Sequence, residues 1–162
     1  MPTTGPVSAP KTPGTKATPP DLLSGYGATR AAWATGHQLD PSGTGFWPRL
    51  ADGDDTYTSV SFVRGRALSY TEHLYPAISE AEALKVVNDE MPPDVKVIGT
   101  KVSPALRPSC EQLVLSSPTI RTLAGANVLV ELYSDGQGYE PQQVTRLTYQ
   151  PIGQVSSALP SC

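Results

Sequence analysis

Apolar and polar residues alternate along 56–63, TYTSVSFV, and again along 66–75, RALSYTEHLY. A period of two, filled with β-branched and aromatic side chains, predicts two strands. Arg64-Gly65 lies between them, and register decides the turn. A two-residue loop would oppose Phe62 to Ala67 and Val60 to Ser69. A three-residue loop of Val63, Arg64 and Gly65 would oppose Val60 to Leu68 and Thr58 to Tyr70. The second matches apolar with apolar and places glycine at the left-handed position such a loop requires. The expectation is therefore the three-residue hairpin, with Pro76 ending its second strand.

Beyond Pro76 the period lengthens. Ser79-Glu80-Ala81-Glu82 forms a capping box, with Ala81, Leu84, Val87 (or Val86) and Met91 as an apolar stripe at helical spacing. Pro92-Pro93 stops that helix at Met91. Residues 95–102 and 110–116 read as strands separated by Pro104 and Pro108. Ser117-Pro118 then supplies an N-cap and a proline at the first helical position, opening a short helix through Leu123 that Gly125 closes. Strands follow at 127–133 and 142–149, joined by DGQGYEP. Upstream, the alanine-rich run 27–36 predicts a helix stopping at Gly36. A Gly/Pro/Asp-rich loop over 40–55 then carries Phe46, Trp47 and Leu50. Such aromatics pin a long loop to a core or present it to a partner. The order α-β-β-α-β-β-short α-β-β, with hairpins dominating, predicts one α+β domain. Its antiparallel sheet of about six strands carries two main helices on one face.

Composition divides the 162-residue chain. Residues 1–20 hold six prolines and five threonines and almost nothing apolar. They read as a disordered tether, reaching roughly 60 Å at proline-rich spacing. The domain then occupies 21–162. Net charge is −3 with no basic run, which argues against a nucleic-acid partner. No apolar run approaches transmembrane length. Met1 leads straight into Pro, Thr and Gly, so the protein is either cytosolic or the chain begins where an export signal was removed. Two cysteines, Cys110 and Cys162, are too isolated for zinc and are expected to form a disulfide.

Candidate chemistry is sparse. His37 and His73 are the only histidines, and no nucleophile elbow, zincin, phosphate-loop or dinucleotide motif occurs. Asp52-Gly53-Asp54-Asp55 lacks the spaced ligands and closing Glu of a calcium loop and reads as a solvated acidic turn. No metal or other cofactor is expected. Most tyrosines fall on predicted strands, as cross-strand packing. One constellation remains. Thr29, Trp33 and His37 are spaced i, i+4, i+8 behind Tyr26, and share a helix face if the helix persists that far. With Asp40 as orienting carboxylate, His37 would be an acid/base or ligand anchor in a small polar-aromatic pocket. The plainer alternative makes Trp33 a core anchor and His37 a helix-end residue.

Tyr26-Gly27-Ala28-Thr29, then Trp33, His37 and Asp40, resembles the opening signature of exported or lipid-anchored actinobacterial proteins of unknown function. Gly65-Arg66 before Ser69-Tyr70, Pro93-Asp94, Cys110 and Ser117-Pro118-Thr119 are similar too. Gln38 stands where such proteins often carry a second histidine. The resemblance implies export and supplies no activity or catalytic residue. The element order also resembles small envelope domains such as the outer-membrane-assembly lipoprotein and β-lactamase-inhibitor folds, an analogy that licenses no function. The expectation is a monomeric, non-catalytic, secreted or membrane-anchored module that binds a protein or cell-envelope ligand. Two alternatives are a small hydrolase using His37 with Asp40, and an inhibitor presenting the aromatic loop.

Overall fold

The hairpin at Arg64-Gly65 sets the sheet, and it departs from the expected register. In the computed structural model, which describes residues 23–39, 45–48, 57–103, 109–134, 143–153 and 159, strands β3 (Tyr57–Val63) and β4 (Arg66–Ser79) meet through a two-residue loop. Arg64 and Gly65 both take positive φ, 52° and 76°. That pair of values fits the right-handed twist of the strands, which a longer loop is not needed to accommodate. Phe62 opposes Ala67, and a bulge then shifts the pairing so that Val60 meets Tyr70 and Thr58 meets Glu72. The three-residue loop is thus corrected. Apolar matching is achieved by an extra residue, Leu68, inside the strand rather than in the turn.

Pro76 does not end β4, which runs to Ser79. Pairing with the last strand, β8 (Gln143–Ile152), jumps from His73 to Ile78, so Pro76 falls where no ladder bond is required. Helix α2 (Glu80–Glu90) follows with both halves of its capping box formed. Glu82 N–H donates to Ser79 Oγ at 3.3 Å, and Ser79 N–H donates to the Glu82 carboxylate at 2.9 Å. Of the predicted stripe Val87 and Met91 are buried and Leu84 is half-buried against the core, while Ala81 is exposed and Ala83 is buried in its stead. Strands β5 (Lys96–Ser103) and β6 (Ser109–Ser116), helix α3 (Pro118–Ala124) and strand β7 (Asn127–Ser134) complete the order. Ser117 caps α3, and Gly125 ends it at φ 67°.

Helix α1 (Arg30–Gly36) stops at the expected glycine. Two short strands then form, β1 (His37–Leu39) just before the run expected to be loop and β2 (Gly45–Pro48) within it, adding an edge beside β3. The result is an α+β domain whose eight-stranded antiparallel sheet runs β1-β2-β3-β4-β8-β7-β6-β5. The six expected strands are its six long ones. One core cluster joins the sheet to all three helices: Trp33 from α1, Ala83 and Val87 from α2 and Ile120 from α3 pack with Tyr70, Tyr149, Val130, Leu113 and Leu147. On the opposite face Gln112 Nε2 donates to Glu131 at 2.9 Å and Tyr133 Oη donates to it at 3.0 Å, while the Arg146 guanidinium sits 4.0 Å over the Tyr133 ring. Residues 1–20, called a tether from sequence, lie outside the described residues.

Candidate functional site

The opening motif forms a clasp. Tyr26 N–H donates to the Glu90 carbonyl at the end of α2 (2.9 Å), and Gly27 N–H donates to the Ala67 carbonyl at the start of β4 (2.8 Å). Ala67 N–H returns a bond to the Ala28 carbonyl, and Arg66 Nη1 donates to the Gly27 carbonyl at 3.2 Å. Gly27 sits at φ +85° with Leu23 and Leu123 3.0 Å from the place a Cβ would take, so a side chain there is excluded twice over. Thr29 is the N-cap of α1: its Oγ1 accepts from Ala32 N–H at 3.1 Å. Trp33 is fully buried, edge-on to Tyr70 with ring centroids 4.6 Å apart. Tyr26 is equally buried, 6.2 Å from Tyr70. The helix does not reach His37, which opens β1. Asp40 lies outside the described residues, as do the side chains of His37, Phe46 and Trp47. The structure therefore brings Tyr26 and Trp33 together in the core, with Thr29 as a helix cap beside them.

That core contains two acids the sequence reading missed. Tyr70 stacks on Tyr149 at 4.2 Å. Tyr149 Oη donates to Glu72 at 3.2 Å, and Tyr70 Oη donates to Glu90 at 3.1 Å. Glu72 is 7% exposed. Burial, then the Glu90 charge, pushes its carboxyl up to about 8, against the opposing pull of the Tyr149 bond. Burial raises Glu90 as well, while the Tyr70 bond lowers it. Both tyrosines are raised, chiefly by burial and next by the acids beside them. Tyr26 is raised by burial alone, and its hydroxyl has no hydrogen-bond partner among the described residues. The cluster is closed: a Cβ at Gly25 would collide with the Glu90 carbonyl, Cα and carboxylate. Two adjacent raised acids are acid/base material; here each accepts from a buried tyrosine hydroxyl within the core.

An open surface lies at the far edge of the sheet. Among the described residues no strand pairs with the outer side of β5. Its partner β6 opposes Val97 to Leu115 and Val102 to Glu111, which puts Val97 and Val102 on the helix-bearing face. A bulge between Val97 and Gly99 turns out Ile98 as the extra residue. All three are exposed, at 58%, 53% and 62% for Val97, Ile98 and Val102. Lys96 and Lys101, opposite Ser116 and Gln112, occupy the other face. At the Lys96 end, β5 runs into a cavity of about 540 Å³ lined by Pro93, Asp94, Lys96, Ile98, Pro118 and Arg121, among others.

Among the described residues lining that cavity, one carboxylate stands against two cations. Asp94 is occupied in holding α3: its carboxylate accepts from Ser117 Oγ, from Thr119 N–H at 3.0 Å and from Thr119 Oγ1 at 2.9 Å. Burial would raise this carboxyl, but the three bonds outweigh it and hold it below the usual range. Among the described lining residues Lys96 and Arg121 have no such partner acid. At the Val102 end both signs are present: Lys101 donates to the Leu159 carbonyl at 3.5 Å on one face, and Glu111 opposes Val102 on the other. Burial, then the neighbouring Glu80, raises the Glu111 carboxyl.

The strand at 95–102 was legible, but its edge position was not. A signal was nonetheless present: two lysines, an internal glycine and exposed β-branched residues are how a sheet edge is written. Among the described residues no group of three or more metal-ligating side chains occurs, and no helix is long and apolar enough to cross a membrane. Cys110 is buried on β6, and no cysteine among the described residues is free. Cys162 lies outside them. No family model matches the chain, and neither curated proteins nor solved structures provide a match.

Proposed function

We propose that this chain is a non-catalytic interaction module that works outside the cytoplasm and receives an extended segment of a partner along the outer edge of β5. One observation carries the reading. An eight-residue strand at the end of the sheet leaves its outer side unpaired among the described residues and exposes Val97, Ile98 and Val102. Unpaired strand amides and carbonyls bind an added strand through main-chain hydrogen bonds, and side-chain pockets beside the edge supply selectivity. The cavity between Pro93 and Arg121 is placed to be such a pocket. Export is supported by the resemblance of the opening motif and by the proposed Cys110–Cys162 disulfide, which an oxidising compartment would maintain.

The test is selection of a displayed random-peptide library on the protein and on a Val97→Asp/Val102→Asp variant whose fold is checked by circular dichroism. Peptides enriched on the native edge and lost on the variant support the reading. Enrichment that is identical on both proteins, or absent from both, refutes it.

A further inference from the structure

Resting on that reading, we infer that the partner segment is acidic, with apolar residues laid over Val97, Ile98 and Val102 and a carboxylate seated in the cavity between Lys96 and Arg121. The argument is charge complementarity. Among the described residues lining that cavity the only acid is Asp94, one charge against two, and its oxygens are taken up by Ser117 and Thr119. Lys96 and Arg121 therefore leave a positive field at the mouth of the edge. A carboxylate entering between them gains charge-assisted contacts that no neutral residue can make. A cationic segment would meet two like charges there.

The same features disfavour a second copy of this chain. Antiparallel self-pairing would lay one strand's lysines along the other's, and the Val97–Gly99 bulge breaks the flat register such pairing needs.

Two fluorescein-labelled peptides of about nine residues, long enough to span β5, provide the probe. One alternates valine and glutamate, the other valine and lysine, both with blocked termini. Fluorescence anisotropy against the full chain is expected to show the glutamate peptide binding at least about tenfold tighter at low salt, with the gap shrinking as salt is added. Lys96→Glu/Arg121→Glu is expected to abolish or reverse the preference while leaving the circular dichroism spectrum unchanged. Equal binding of both peptides, lost in the Val97→Asp/Val102→Asp variant, overturns the acidic preference and leaves the edge reading standing. A glutamate preference that survives Lys96→Glu/Arg121→Glu overturns the cavity assignment. Binding of neither peptide overturns the edge reading and this inference with it.

Discussion

Replacing Glu72 with glutamine should free the fold from a pH dependence built into its core. Glu72 is nearly inaccessible, and its carboxyl is pushed from an ordinary 4.5 up to about 8 by burial and then by Glu90. Because the folded value lies above the unfolded one, the native state holds the proton more tightly. The associated stability is whole below about pH 4.5, declines as pH rises and is gone above about pH 8. At about 1.4 kcal/mol per pH unit, the full interval corresponds to roughly 5 kcal/mol. Water drawn toward the ionised group reduces this, so a loss on the order of 2–4 kcal/mol between pH 5 and pH 8 is expected. Glu90 is raised too and contributes with the same sign. Glu72→Gln keeps an oxygen to accept from Tyr149 Oη and cannot ionise. It should match the native protein at pH 5, exceed it by a few kcal/mol at pH 8 and lose less than about half as much stability across the range. Urea unfolding followed by tryptophan fluorescence at four pH values between 5 and 8 measures this. Parallel pH profiles for the two proteins would refute the reasoning, because the slope would then arise elsewhere.

Two further outcomes are expected. Trp33→Ala removes the largest fully buried side chain and its contact with Tyr70, and should lower unfolding free energy by about 3–5 kcal/mol in the same assay; a cost below about 1 kcal/mol would mean Trp33 is not the anchor of α1. Protein purified without reductant should show no free thiol and should lose several degrees of melting temperature on reduction, as a Cys110–Cys162 bond requires; titration of two thiols would exclude that bond.

Local signals were read well where the chemistry is local. The Ser79–Glu82 box, the Ser117-Pro118 start, the Gly125 stop and the end of α1 at Gly36 each involve residues within four positions of one another. Their partners can be read off the sequence. The hairpin shows where that fails. Matching apolar residues across a uniform ladder selected a longer loop, because a bulge at Leu68 leaves no mark in the pattern. Pro76 misled for a related reason: proline forbids a ladder bond only where one is needed, and the skipped pairing between His73 and Ile78 depends on a strand 70 residues away. The Glu72–Glu90 pair was invisible because its members sit on different elements that meet only after α2 folds back over the sheet. The edge role of β5 depends on the order of strands, which no window of sequence contains. The pocket expected from Tyr26, Thr29, Trp33, His37 and Asp40 rested on the helix persisting to His37, and it stops at Gly36. Tyr26 and Trp33 both meet Tyr70 instead, as core.

The sheet order has one more consequence, for how the molecule comes into being. β8 is the last of the described strands in sequence, yet it lies in the middle, between β4 and β7. A chain emerging from its N terminus can first build only two separate half-sheets, β1 to β4 and β5 with β6 and β7. Tyr70 on one half and Val130 and Leu132 on the other pair with Tyr149 and Leu147, and until β8 is made they lack those neighbours. Both half-sheets also present a raw inner edge, the kind of surface that pairs with the wrong neighbour. Synthesis therefore delivers a molecule in two unjoined pieces, and its keystone arrives at the end.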